Sequence, residues 1–91
     1  MSEAAPRERQ RLVLLHGWGS RREVFAPFAA ALAADFDVVS LDLPAHGAAA
    51  GPFPRDAGAL LGWMRQHIAP GSVLVGWSLG GALGLRFAQA Y

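Results

Sequence analysis

The chain has 91 residues, enough for one small domain or part of a larger one. With 53% hydrophobic and 16% charged residues it is too apolar for a disordered tail, yet Arg, Asp, Gly and Pro break every apolar run short of the ~20 residues of a membrane span. A formal charge of +1 argues against nucleic acid or an anionic membrane as partner, and the absence of cysteine excludes disulfides and thiolate metal sites.

Residues 1–10 are polar, lack the apolar core of a signal peptide and read as a disordered lead-in to a cytoplasmic protein. Arg11–Leu15 is a continuous apolar run ending at His16-Gly17, as expected of a strand buried on both faces of a parallel sheet. His16–Ser20 forms a loop, with Ser20 as the expected N-cap of a helix over Glu23–Ala34. Val24, Phe25, Phe28, Ala31 and Leu32 recur at helical spacing there, and Pro27 falls within its first turns. Asp37–Leu43 is a second strand, closed by Pro44 and the turn Ala45-His46-Gly47.

Gly51, Pro52 and Pro54 mark an irregular loop over 48–54. Asp56 caps a second helix whose apolar face is Ala57, Leu60, Leu61, Met64 and Ile68, and Pro70-Gly71 ends it. Ser72 opens a third strand that runs into Gly76-Trp77-Ser78-Leu79-Gly80-Gly81, and a third helix follows to Tyr91. The order βαβαβα predicts an α/β fold with a parallel sheet, three strands and three helices, over residues 11–91. No internal repeat and no linker divides it.

The third strand and its helix are joined by Gly76-x-Ser78-x-Gly80, the pattern of a nucleophile elbow. A serine on a tight, strained turn needs neighbours without a Cβ, because the flanking backbones approach closely. Such a turn lifts the hydroxyl above the sheet, beside the N-terminus of the following helix. Ser78 is the expected nucleophile.

Taken together, His16-Gly17-Trp18-Gly19, Asp42-Leu43-Pro44-Ala45-His46-Gly47 and Gly76-Trp77-Ser78-Leu79-Gly80-Gly81 resemble the ordered signposts of the α/β-hydrolase fold. The Trp after His-Gly and the Gly-Trp-Ser-Leu-Gly-Gly elbow resemble, more narrowly, the pimeloyl-[acyl-carrier protein] methyl ester esterases of biotin biosynthesis. That resemblance implies a serine carboxylesterase in which Ser78 attacks an ester carbonyl, with the oxyanion held by the backbone N–H groups of Trp18 and Leu79. It also places Trp18 and Leu79 against an acyl chain, and makes the partner an acyl ester, either a small molecule or one linked to an acyl carrier protein. No metal or organic cofactor is implied.

In this fold the catalytic acid and histidine follow the serine, yet the 13 residues after Ser78 contain no His, Asp or Glu. The expectation is therefore an N-terminal portion of an esterase, inactive by itself. Ala45 stands where the family commonly has Gly. His16 and His46 read as structural hydrogen-bonders, with His46 alternatively solvent-facing or lining the site, and His67 as a helix-end residue. Trp63 and Trp77 read as packing residues, and Asp42 as a turn cap. Two other classes stay open: a non-catalytic α/β-hydrolase-like binding module, and a dinucleotide-binding unit built on Gly17-Trp18-Gly19 and Asp42. The dinucleotide pattern lacks its third glycine, since Arg22 stands at that position.

Overall fold

A computed structural model describes residues 9–49 and 51–91. The apolar run forms β1 (Arg11–Leu15), which pairs in parallel with β2 (Asp37–Leu41) on one side and β3 (Val73–Gly76) on the other. The strand order is β2-β1-β3, so β1 is the central strand, and it is buried from Leu12 to Leu15. This accounts for its apolar residues on both faces. Val13 and Leu15 face one layer and Leu12 and Leu14 the other.

The main core lies on the Val13–Leu15 face. There α2 (Ala57–His67) and α3 (Leu79–Ala90) bring Leu60, Leu61, Met64, Ile68 and Phe87 against Val13, Leu15 and Leu43. Asp56 caps α2 as expected, its carboxylate accepting from the Ala59 N–H at 2.8 Å. Of the anticipated apolar face only Ala57 is exposed. At the other end of α2, His67 Nδ1 donates to Trp63 O and its ring stacks on Trp63, a helix-end role.

Three expected boundaries move, each for a reason the hydrogen bonds show. The helix anticipated over Glu23–Ala34 divides into a 3-10 turn, Arg22–Phe25, and α1, Ala26–Leu32. Pro27 has no N–H to continue the ladder, so it sits in the first positions of a new helix instead. The second strand ends at Leu41 rather than Leu43, because the Leu43 N–H leaves the ladder for the His16 ring. The third begins at Val73, since the Ser72 N–H and hydroxyl both donate to Ala69 O in the turn.

Of the expected lead-in, residues 1–8 lie outside the described residues. Gln10 O accepts the Asp37 N–H, and the Gln10 side-chain amide donates to Gly71 O at 2.8 Å. Among the described residues no helix is long and apolar enough to cross a membrane.

Gly62, inside α2, has open space where a Cβ would stand. The Gly62→Ala variant therefore gains helix propensity without a clash. A stability gain of about 0.5–1 kcal/mol is expected in denaturant unfolding of the protein.

Candidate active site

Ser78 caps α3 with φ 56° and ψ −120°, a left-handed corner that is strained for any residue other than glycine. The corner is forced by its neighbours. The Trp77 N–H donates to Leu15 O at 3.0 Å, which pins the end of β3 to β1. The first turn of α3 starts immediately, with the Gly81 and Ala82 N–H groups both donating to Ser78 O. The chain can turn this sharply because Gly76 and Gly80 lack side chains. A Cβ on Gly76 would run into the backbone of Gly80 and Gly81, and one on Gly80 into the carbonyls of Leu15 and His16. The steric reason anticipated for both glycines is thus present in the structure.

The Ser78 side chain is exposed and makes no capping hydrogen bond to α3. Leu79 is the first residue of that helix, so its N–H has no partner within the helix and points with the positive end of the helix dipole. Gly17 brings the loop after β1 alongside. A Cβ there would lie 3.3 Å from Ser78 Cβ and 3.2 Å from the Trp77 ring. Trp18 follows directly, with its side chain 67% exposed. The next two N–H groups are used within the scaffold, Gly19 by His46 Nε2 and Ser20 by Gly17 O, whereas among the described residues nothing accepts from the Trp18 N–H.

The loop after β1 and the turn after β2 are cross-braced by their own histidines. His16, fully buried, donates from Nδ1 to Gly17 O and accepts the Leu43 N–H at Nε2. His46 repeats the scheme in reverse, donating from Nδ1 to Pro44 O and accepting the Gly19 N–H at Nε2. Each ring is therefore held as the Nδ1–H tautomer with both nitrogens engaged, which leaves neither free to take a proton from Ser78. His46 is buried, so the structural reading holds and the solvent-facing one does not, while its ring also meets the Trp18 indole.

Asp42 is the third brace, and it overturns one expectation. Ser20 does not cap the helical segment that follows. The Arg22 N–H donates to Asp42 Oδ1 at 2.7 Å, across from the end of β2. The Ala48 N–H donates to Oδ2 at 2.9 Å. A carboxylate reaching across from another strand has no signature in local sequence, where the nearest small polar residue looks like the cap. Burial raises the Asp42 pKa, but the two N–H donors and the nearby Arg22 guanidinium outweigh it and hold the carboxyl below the usual range. The sign follows: a depressed folded-state value means the brace contributes stability above the unfolded Asp value and loses it as pH falls through the lower folded one.

Sequence reasoning also missed Phe53. Its ring meets the Trp18 indole edge to face at 5.1 Å, and His46 meets the same indole at 4.9 Å. Trp77, expected to pack, is 55% exposed, with one edge of its ring against Gly17.

Ala45 sits at φ 66°, the left-handed conformation that favours glycine, in the turn that carries His46. Ala45→Gly relieves that strain but loosens the unfolded chain. A net gain of up to about 1 kcal/mol is expected, read as a shift in the unfolding midpoint.

A sequence model of the alpha/beta hydrolase family matches residues 12–91. The chain is 44% identical over 81 residues to a pimeloyl-[acyl-carrier protein] methyl ester esterase of Chromobacterium violaceum, a match covering 88% of this chain and 32% of that protein. Proteins of the same name are similar in Neisseria meningitidis serogroup B (40% over 85 residues, 90% of this chain and 32% of that one) and Xanthomonas oryzae pv. oryzae (42% over 82 residues, 85% and 30%). The chain spans about a third of the length of these curated relatives. No solved structure matches it. The family match runs through all three loop segments described above, across a parallel sheet in the order β2-β1-β3 with the serine corner at its end. The chain belongs to the alpha/beta hydrolase family.

Proposed function

We propose that this chain carries the nucleophile and oxyanion donors of a cytoplasmic serine carboxylesterase whose substrate is the methyl ester of a medium-length acyl chain borne on an acyl carrier protein. The observation that carries the proposal is the placement of Ser78. Its hydroxyl stands exposed on a left-handed corner at the N-terminus of a helix, beside the loop that bears Trp18. The named relatives support the ester and the carrier as the substrate class.

In this reading Ser78 Oγ attacks the ester carbonyl as its proton passes to a histidine. Charge developing on the carbonyl oxygen is met by the Leu79 and Trp18 N–H groups, each donor being worth roughly 3–4 kcal/mol in the transition state. Collapse of the tetrahedral intermediate breaks the bond to the methoxy oxygen, which leaves as methanol with the proton returned by the histidine. Water then attacks the acyl-Ser78 ester and releases the free acid. The exposed Trp18 indole, backed by Phe53 and His46, offers the acyl chain an apolar surface. Neither His16 nor His46 has a nitrogen to spare for the base role.

The test is covalent labelling of the full-length protein with a fluorophosphonate, located by peptide mass spectrometry, together with hydrolysis of methyl pimeloyl and shorter acyl methyl esters on and off a carrier protein. Label on Ser78 and faster turnover of the carrier-borne ester are expected. A full-length protein that neither labels at Ser78 nor hydrolyses any of these esters would overturn the proposal.

A further inference from the structure

The Trp18 N–H can meet an oxyanion only if its loop holds still, and the loop is glycine-rich, with Gly17 before Trp18 and Gly19 after it at φ 79°. What holds it comes from the neighbouring strand. Asp42 has a side chain only 6% exposed, and each of its oxygens accepts one backbone N–H, from Arg22 at the far end of the loop and from Ala48 in the turn after β2. Arg22 Nε stands 3.7 Å from Oδ2 and His16 Nε2 stands 4.0 Å from Oδ1. Gly47 lies so close that a Cβ there would fall on the carboxylate, so the turn is folded around this group.

His46 adds a second tie between the same two segments, through the Gly19 N–H.

We propose that Asp42 is a positioning residue for ester hydrolysis: by binding the Arg22 and Ala48 N–H groups it ties the Trp18 loop to the turn after β2 and sets the Trp18 N–H toward the Ser78 corner. The proposal rests on the reading of Trp18 and Leu79 as oxyanion donors. Asp42 touches neither substrate nor nucleophile in it. Its effect through the Trp18 N–H therefore falls on the transition state, in kcat, while the Trp18 indole keeps its own supports in Phe53 and His46.

Asp42→Asn is the discriminating change. Both oxygens accept N–H groups, and an amide offers one oxygen and one NH2, so one of the two loop N–H groups must face another donor. Arg22→Pro removes the donor instead and leaves the carboxylate intact. Arg21 is extended (φ −162°, ψ 165°) and Arg22 opens a helical turn, both compatible with proline at 22. Arg22→Ala is its comparison, because it loses the same guanidinium but keeps the N–H.

In the full-length protein, kcat per active site counted by phosphonate titration is expected to fall about tenfold to a hundredfold in Asp42→Asn, with KM within about twofold of wild type. Arg22→Pro is expected to fall at least about fivefold below Arg22→Ala. Amides over residues 17–21 should exchange hydrogen faster in Asp42→Asn and Arg22→Pro than in wild type and Arg22→Ala respectively. If Asp42→Asn does not fold, the Arg22 pair decides. A kcat unchanged in both comparisons overturns the positioning role. A wild-type protein without ester turnover or Ser78 labelling overturns the esterase reading and this role with it. In that case faster loop exchange would still uphold the brace, and unchanged exchange would overturn the brace as well.

Discussion

Ser78→Ala in the full-length protein is expected to lower kcat for ester hydrolysis by about 10⁴- to 10⁶-fold while leaving KM and folding nearly unchanged. The size follows from the chemistry. Without Oγ no acyl-enzyme forms, and only water attack aided by the oxyanion donors remains. The selectivity follows from the structure. Ala keeps the Cβ that already stands at φ 56°, so the backbone strain is no greater than with Ser. The hydroxyl makes no cap bond to α3, so its removal costs the helix nothing. A loss of activity in this variant is then a loss of the nucleophile and not of the fold, which equal unfolding midpoints for the two proteins would verify. Turnover within about a hundredfold of wild type would mean that another group attacks the ester, and the assignment of Ser78 would fall.

The elbow was legible before the structure because its constraints are local. An apolar run, a Gly-x-Ser-x-Gly pentapeptide and a helix follow within one stretch, and the structure returns Val73–Gly76, the corner at Ser78 and Leu79–Ala90. The first strand and the Asp56 cap were legible for the same reason. What lay hidden is whatever depends on residues far apart in the chain. Ser20 looks like a cap because it is small, polar and adjacent, yet the N–H it was expected to serve is taken by Asp42, 20 residues on. The exchanged bonds of His16 and His46 span 27 residues each, and no spacing rule announces them. Their exchange is visible only once β1 and β2 lie side by side and their two loops leave the same end of the sheet. The strand order β2-β1-β3 is of the same kind, since a βαβαβα pattern specifies parallel strands without saying which is central.

Gly80→Ala is expected to destabilise the protein by more than about 4 kcal/mol, or to prevent its folding, although Ala is the better helix former. Gly80 is the second residue of α3, and a Cβ there would overlap the Leu15 and His16 carbonyls at the end of the central strand. Nothing flexible stands in its way to yield. The obstacle is backbone, and the Leu15 carbonyl is the one that accepts the Trp77 N–H. To admit one methyl group, α3 must move away from β1, and that movement breaks the hydrogen bond that sets the Ser78 corner. Gly84, one turn further along the same buried face, is the internal comparison. A Cβ there meets only side chains, Leu15 Cδ1 at 3.5 Å and Leu74 Cβ at 3.7 Å, which is ordinary contact. Gly84→Ala is therefore expected to stay within about 1 kcal/mol of wild type, its helix propensity gain offsetting slight crowding. Denaturant unfolding of the two variants, with phosphonate labelling of Ser78 on whatever folds, separates the possibilities. If Gly80→Ala folds with a cost near that of Gly84→Ala and still labels, the helix does not sit hard against β1, and the steric account of the elbow is wrong.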